Sequence, residues 1–307
     1  MRWEDFRKSD NIEDRRGEDY AEAGGGGPGF GGGGGLGLGT IVVLGIIAYA
    51  LGINPAVLIG GAEMFSHMRD GGGQVATQRQ DRPTRQAPTG APADRQGQFI
   101  AAVLAENEDV WSSVLPEQKR VRFTPPRLVL FNGVTGSGCG KAQSAMGPFY
   151  CPLDRKIYLD TSFFKDMDRR FGGGGDFAYA YVISHEMGHH IQNELGILPK
   201  VHRAQEMASS RSEANALSVR VELMADCLAG VWAANANQKW RIIEEGDLEK
   251  AIRTAQAIGD DRLQRSSRGF AVPDSFTHGS SAQRVEWLQR GLKTGQIDSC
   301  NTFSAQR

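Results

Sequence analysis

An excess of either charge is what this chain most plainly lacks: 35 Lys and Arg stand against 36 Asp and Glu, a formal net charge of −1 over 307 residues. Without a basic surplus no whole-chain field draws it to nucleic acid or to an anionic lipid surface, so no nucleic-acid partner is expected. Cysteine is scarce as well. The four cysteines, Cys139, Cys151, Cys227 and Cys300, show no C-x-x-C spacing, which argues against a second metal site. Three pairings are open to them. Cys139 with Cys151, flanking a Gly-containing segment able to turn as a hairpin, and Cys227 with Cys300 is the preferred one. Each bond would add about 2–4 kcal/mol and require an oxidising compartment. Internal repeats are absent.

Glycine is abundant instead, at 40 residues. Much of it falls in 24–39, so residues 1–35 read as a charged and Gly-rich N-terminal segment. An uncharged apolar run follows over 36–62. Its first part, up to Asn54-Pro55, is near the lower limit of about 17 residues for a helical span, and the whole run is ample. A single transmembrane helix is expected there. The acids of the preceding segment, among them Glu4, Asp5, Asp10 and Glu13, argue against a cleaved signal peptide. Residues 63–97, rich in Gly, Gln, Pro and Arg without hydrophobic periodicity, read as a disordered linker. Residues 98–307 suffice for one catalytic domain. Arginines on both sides of the apolar run leave its orientation open. The cysteines favour a single-pass protein with its N-terminus in the cytoplasm and its catalytic domain in the periplasm or outside the cell.

The most informative stretch is Tyr181-Val182-Ile183-Ser184-His185-Glu186-Met187-Gly188-His189-His190. A glycine run ending in Asp176, a good N-cap, and Gly196 followed by Pro199 delimit a helix over 177–195. On it His185 and His189 leave one face a turn apart, where two imidazoles can share one zinc, and Glu186 sits beside the metal without ligating it. Two histidines and a glutamate buried without partners would carry a severe desolvation cost, which a metal removes. The longer pattern with a third histidine is excluded, because Gln192 and Leu195 stand where Gly and His would be needed. His190 and Glu194 point elsewhere around the helix.

A catalytic zinc takes three protein ligands and leaves one position open. Further along, Glu222 and Asp226 lie four residues apart on an otherwise apolar helix. Glu222 is the expected third ligand, and Asp226 is placed to accept the spare ring N–H of a zinc-bound histidine. The alternative is that Glu222 pairs with Arg220 or another basic residue. Glu213 is a weaker rival, because Ser210-x-x-Glu213 reads as a capping box.

H-E-M-G-H followed by E-x-x-x-D resembles the gluzincin pattern. The wider runs G-P-F-Y-C-P at 147–152, I-Y-L-D at 157–160, V-E-L-M-A-D-C-L-A-G at 221–230 and T-H-G-S-S-A-Q-R at 277–284 resemble the bacterial neutral zinc metallopeptidase family over nearly the whole chain. The resemblance implies an α+β, zincin-like domain with a small antiparallel sheet and an active-site helix, preceded by the transmembrane helix. It departs from better-known gluzincins in a longer interval between His189 and Glu222, where an inserted segment around 202–210 is expected. Zincins place an edge strand beside the active-site helix for an extended substrate to pair with. Ile157, Tyr158 and Leu159 are the obvious strand, with Ile157 and Leu159 on one face and Tyr158 on the other. His278, just before a second capping box at Ser280-x-x-Gln283, is similar to a gluzincin loop histidine that stabilises the oxyanion. An ordinary surface histidine is the alternative.

The expected function is membrane-anchored, zinc-dependent hydrolysis of peptide bonds in a peptide or protein substrate, with one catalytic Zn2+ and Glu186 as general base. A catalytically inactive zinc-bound adaptor or chaperone is the rival from another class, and the presence of Glu186 speaks against it. A non-peptide amide, such as one in the cell wall, would suit the same groups.

Overall fold

The computed structural model describes residues 1–18, 88–171 and 174–304. The apolar run 36–62 and residues 63–87 of the expected linker lie outside them. Among the described residues no helix is long and apolar enough to cross a membrane.

The body is helical around one sheet. Strand β1 (Ile12–Asp14) precedes helix α1 (Arg95–Lys119), whose N-cap Asp94 accepts from the Gly97 amide and whose run from Phe99 to Ala105 is wholly buried. Strands β2 (Arg127–Phe131), β3 (Val134–Ser137), β4 (Gly140–Gln143), β5 (Phe149–Cys151) and β6 (Lys156–Asp160) follow. Further α-helices follow among the described residues: α2 (Ser162–Asp166), α3 (Asp176–Glu194), α4 (Ile197–Glu206), α5 (Arg211–Trp240), α6 (Asp247–Ala257), α7 (Asp260–Arg268) and α8 (Ser281–Thr294). Helix α3 buries residues on every side, as a helix apolar all round must, and packs against α1, α5 and α6.

The main sheet has the order β1-β2-β6-β5. β1, β2 and β6 run parallel, and β5 is antiparallel to β6 at the edge. The expected antiparallel sheet is therefore mostly parallel, and among the described residues only the β3-β4 hairpin is a separate antiparallel pair. The substrate-strand assignment is also corrected. Ile157, Tyr158 and Leu159 lie in β6, inside the sheet between β2 and β5, and all three are about 1% exposed. The alternation misled because both faces of β6 are covered. Tyr158 stacks on Phe149 with ring centroids 5.0 Å apart and donates to Asp154. The edge strand next to α3 is β5.

Residues 1–17 form one compact unit with the chain from Pro88 onward. Their backbone bonds run Arg2 N–H to Ile242 O at 3.0 Å, Ser9 N–H to Ala101 O at 3.0 Å and Asp14 N–H to Pro88 O at 3.0 Å. Trp3 is buried edge-on against Phe99 and donates to Asp176 at 2.9 Å. Asp176 is the first residue of α3 and not its N-cap, a position held by Gly175. The boundary at 98 falls inside α1, and residues 1–17 belong with the body they were expected to precede.

The interval between His189 and Glu222 is filled by α4 and the first turns of α5. The Ser210 side chain caps α5 as expected, but Glu213 reaches back to Ser209 instead of Ser210. The box at Ser280 and Gln283 is complete. Helices α5 and α8 cross through a glycine notch, where a Cβ on Gly291 would lie 1.9 Å from Cys227 O and one on Gly230 2.3 Å from Leu288 O. The disulfide Cys227–Cys300 staples α5 to the chain just past α8, and Cys139–Cys151 ties the hairpin to β5. Both are the preferred pairings.

Candidate metal centre

Helix α3 crosses α5 where Gly188 faces Ala225. A Cβ at 188 would meet the Ala225 carbonyl oxygen at 3.0 Å, so glycine lets the two backbones approach. That closeness brings the histidines of α3 against the carboxylates of α5.

His185 Nδ1–H donates to Asp226 Oδ1 at 2.9 Å, and its Nε2 lies 3.1 Å from Glu222 Oε2. His189 Nδ1–H donates to Gln192 Oε1 at 3.0 Å, and its Nε2 lies 3.5 Å from Glu222 Oε1. The Gln192 amide is held the right way round because its nitrogen donates to Val221 O at 2.6 Å. With both Nδ1–H groups committed, the two Nε2 atoms face one carboxylate, and each such contact calls for a proton or a metal ion between nitrogen and oxygen. The ligand atoms of His185, His189 and Glu222 lie within 4.8 Å of one another, and two imidazoles with one carboxylate suit zinc with a vertex left over.

Asp226 is fully buried and satisfies three groups. Besides His185, its oxygens accept from Tyr181 Oη at 2.6 Å and from Arg284 Nε and Nη2 at 2.8 and 2.9 Å. The electrostatics report the same demand for positive charge. Burial pulls the His185 imidazole down, but Asp226 and Glu222 outweigh it and raise it to about 10. Burial pushes the Asp226 carboxyl up, but Arg284 and His185 hold it at about 2. Glu222 is also pushed up by burial, yet His189, His185 and His278 carry it well below the usual carboxylate range. A dication bound here meets charges already arranged for it.

Glu186, buried beside His185, has its carboxyl raised by burial, with His189 and His185 opposing. His278 sits in the loop between α7 and α8, half exposed. That loop wraps Asp260, whose Oδ2 accepts from the amides of Thr277, His278 and Gly279 at 2.7, 2.6 and 3.1 Å. Asp260 Oδ1 lies 3.3 Å from His278 Nδ1. Burial lowers the His278 imidazole, but Asp260 and Glu222 raise it on balance. Gly279 lies over Val219 and Leu223 of α5, which sets the loop alongside Glu222.

The structure thus brings His185, His189, Glu222 and Asp226 together, with Glu186 on the same helix and His278 at the flank. Ile157, Tyr158 and Leu159 remain in the sheet interior. His190, which sequence spacing had set aside, is buried away from the site, accepting from Tyr150 Oη at 3.1 Å and donating to Thr124 O at 2.7 Å. Burial holds it neutral, down at about 4. Gln192, Asp260 and Arg284 escaped assignment as supports. Gln192 had entered only as the residue that excludes a longer histidine motif. The Asp-Asp pair at 260–261 opening a helix was the available signal for Asp260.

The chain is similar to "Uncharacterized protein YpfJ" of Escherichia coli strain K12, at 44% identity over 303 residues that cover 99% of each chain. It is also similar to "Uncharacterized protein Rv2575" of Mycobacterium tuberculosis strain H37Rv, at 40% identity over 255 residues, 77% of this chain and 83% of that one. No solved structure matches. The family described as "Putative neutral zinc metallopeptidase" matches residues 1–303, and the chain belongs to it.

Proposed function

We propose that this protein is a zinc-dependent peptidase whose metal is held by His185, His189 and Glu222. One observation carries the reading: two imidazoles with their Nδ1–H groups already donated turn both Nε2 atoms toward a single carboxylate, within 4.8 Å of one another. Zinc bound there supplies a Lewis acid that polarises a scissile carbonyl and brings water toward a pKa of about 7.

The remaining steps fall to the chain. Glu186, one residue after His185 on the rigid α3, takes the proton of the attacking water and returns it to the leaving amine. Burial raises its carboxyl, which makes it a stronger proton acceptor than an exposed glutamate. His278, with its ring steadied by Asp260 and its imidazole raised, donates a hydrogen bond to the oxyanion. Strand β5 offers the sheet edge to which an extended substrate adds its main chain. Tyr150 ties that edge to α3, accepting from Asn193 at 3.0 Å.

Glu186→Gln tests the reading. The variant keeps its zinc stoichiometry, while cleavage of an unfolded protein falls by about 10²–10⁴-fold. Glu222→Ala loses the metal. Turnover unchanged in the first variant would remove Glu186 from the mechanism, and zinc retained by the second would remove Glu222 from the ligand set.

A further inference from the structure

The segment before the apolar run is built into the body that follows it. Strand β1 pairs in parallel with β2, with Ile12 opposite Leu128 and Asp14 opposite Leu130. On its other side Glu13 bridges Thr89, and Gly90 N–H donates to Ile12 O at 3.0 Å. The chain therefore leaves the sheet after Asp14 and re-enters beside it at Pro88. Side chains lock the arrangement. Ile12 is fully buried, and Glu108 of α1 accepts from Ser9 Oγ at 2.6 Å and Asn11 Nδ2 at 2.8 Å and pairs with Arg7 at 2.9 Å. Glu13 takes Lys156 of β6 at 2.8 Å, and Arg16 reaches Asp94 at 2.6 Å.

A single crossing within 36–62 would put these partners on opposite faces of a bilayer. A second copy donating the strand would not help, since its own residues 1–17 would lie on the far face as well. Two helical crossings need roughly 40 apolar residues, about 20 each, and the run is shorter than that. We propose that the apolar run 36–62 does not carry the chain across a membrane: residues 1–17 and the body from residue 88 occupy one side of it, and contact with lipid is confined to that side. The inference is independent of the peptidase reading.

The test uses the full-length chain in spheroplasts of a Gram-negative host. All four native cysteines are paired, so a single introduced cysteine is the one free thiol. Asp5→Cys and Asp10→Cys report on the N-terminal segment, and Gln238→Cys and Lys293→Cys on the body; all four positions are exposed. Each is treated with a membrane-impermeant maleimide before and after permeabilisation, and normalised to labelling in detergent. The expected result is the same protection pattern at all four positions. Labelling of 238 and 293 in sealed spheroplasts with 5 and 10 reacting only after permeabilisation, or the reverse, overturns the proposal. Two reporters at each end keep the comparison decisive if one variant fails to fold.

Discussion

Asp226 sets the orientation of His185 because its charge is already committed on three sides, to an imidazole, a phenol and a guanidinium. Its place on one face with Glu222 was legible in the sequence, because helical spacing alone puts i and i+4 side chains together. Arg284 was not legible as its partner, since that contact depends on how closely α8 approaches α5. Glu106 shows the opposite situation, a carboxyl 2% exposed whose two oxygens have no hydrogen-bond partner. Burial, with Asp109 adding to it, raises Glu106 from 4.5 to about 8. The unfolded chain releases this proton above its ordinary value while the folded chain holds it. Stability is therefore fully present at low pH and lost as pH rises to about 8, by on the order of a few kcal/mol. Glu106→Gln removes the ionisation. Urea midpoints at about pH 5 and about pH 9 should show the variant gaining on the parent only at the higher pH. Equal gains at both would assign the effect to packing.

Among the elements, α3 and α5 were readable in outline because each carries a dense apolar run and a recognisable terminus. The place of β6 was not readable: residues 157–160 alternate as a half-buried strand does, and nothing local reveals that β2 and β5 flank it on both sides. The α5–α8 crossing is likewise a tertiary fact, set by Gly230 and Gly291 meeting opposing backbone. Gly291→Ala places a methyl on the Cys227 carbonyl, which has no side-chain freedom with which to yield. The helices must separate, at a cost of about 1–3 kcal/mol or more, and Arg284 shifts relative to Asp226. The urea midpoint should fall and zinc affinity weaken in the same variant. Lost stability with unchanged affinity would show that the crossing does not position the metal site.

For the molecule as a whole, candidate ligands drawn from α3 and α5 would make a bound metal a stabilising link between distant parts of the chain. With zinc at about a hundred times its Kd, binding adds about 2.7 kcal/mol. A chelator should then lower Tm by roughly 5–10 °C in a body of this size. Glu222→Ala should melt at one temperature with or without the chelator, and a parent indifferent to the chelator would speak against a resident ion. The overall organisation was the part least visible in the sequence. Composition marked off residues 1–35, yet Trp3 and Ile12 are core residues whose partners lie beyond the apolar run.

The parallel pairing of β1 with β2 also constrains the order of folding. Ile12 leaves the ribosome early, but its partner Leu128 is made only after the glycine tract, the apolar run and the whole of α1. Closing so long a loop is entropically slow, whereas the α3–α5 contacts form over a much shorter stretch of chain. The earliest strand to be synthesised must wait unpaired during translation, with its hydrogen-bonding edge open to other nascent chains.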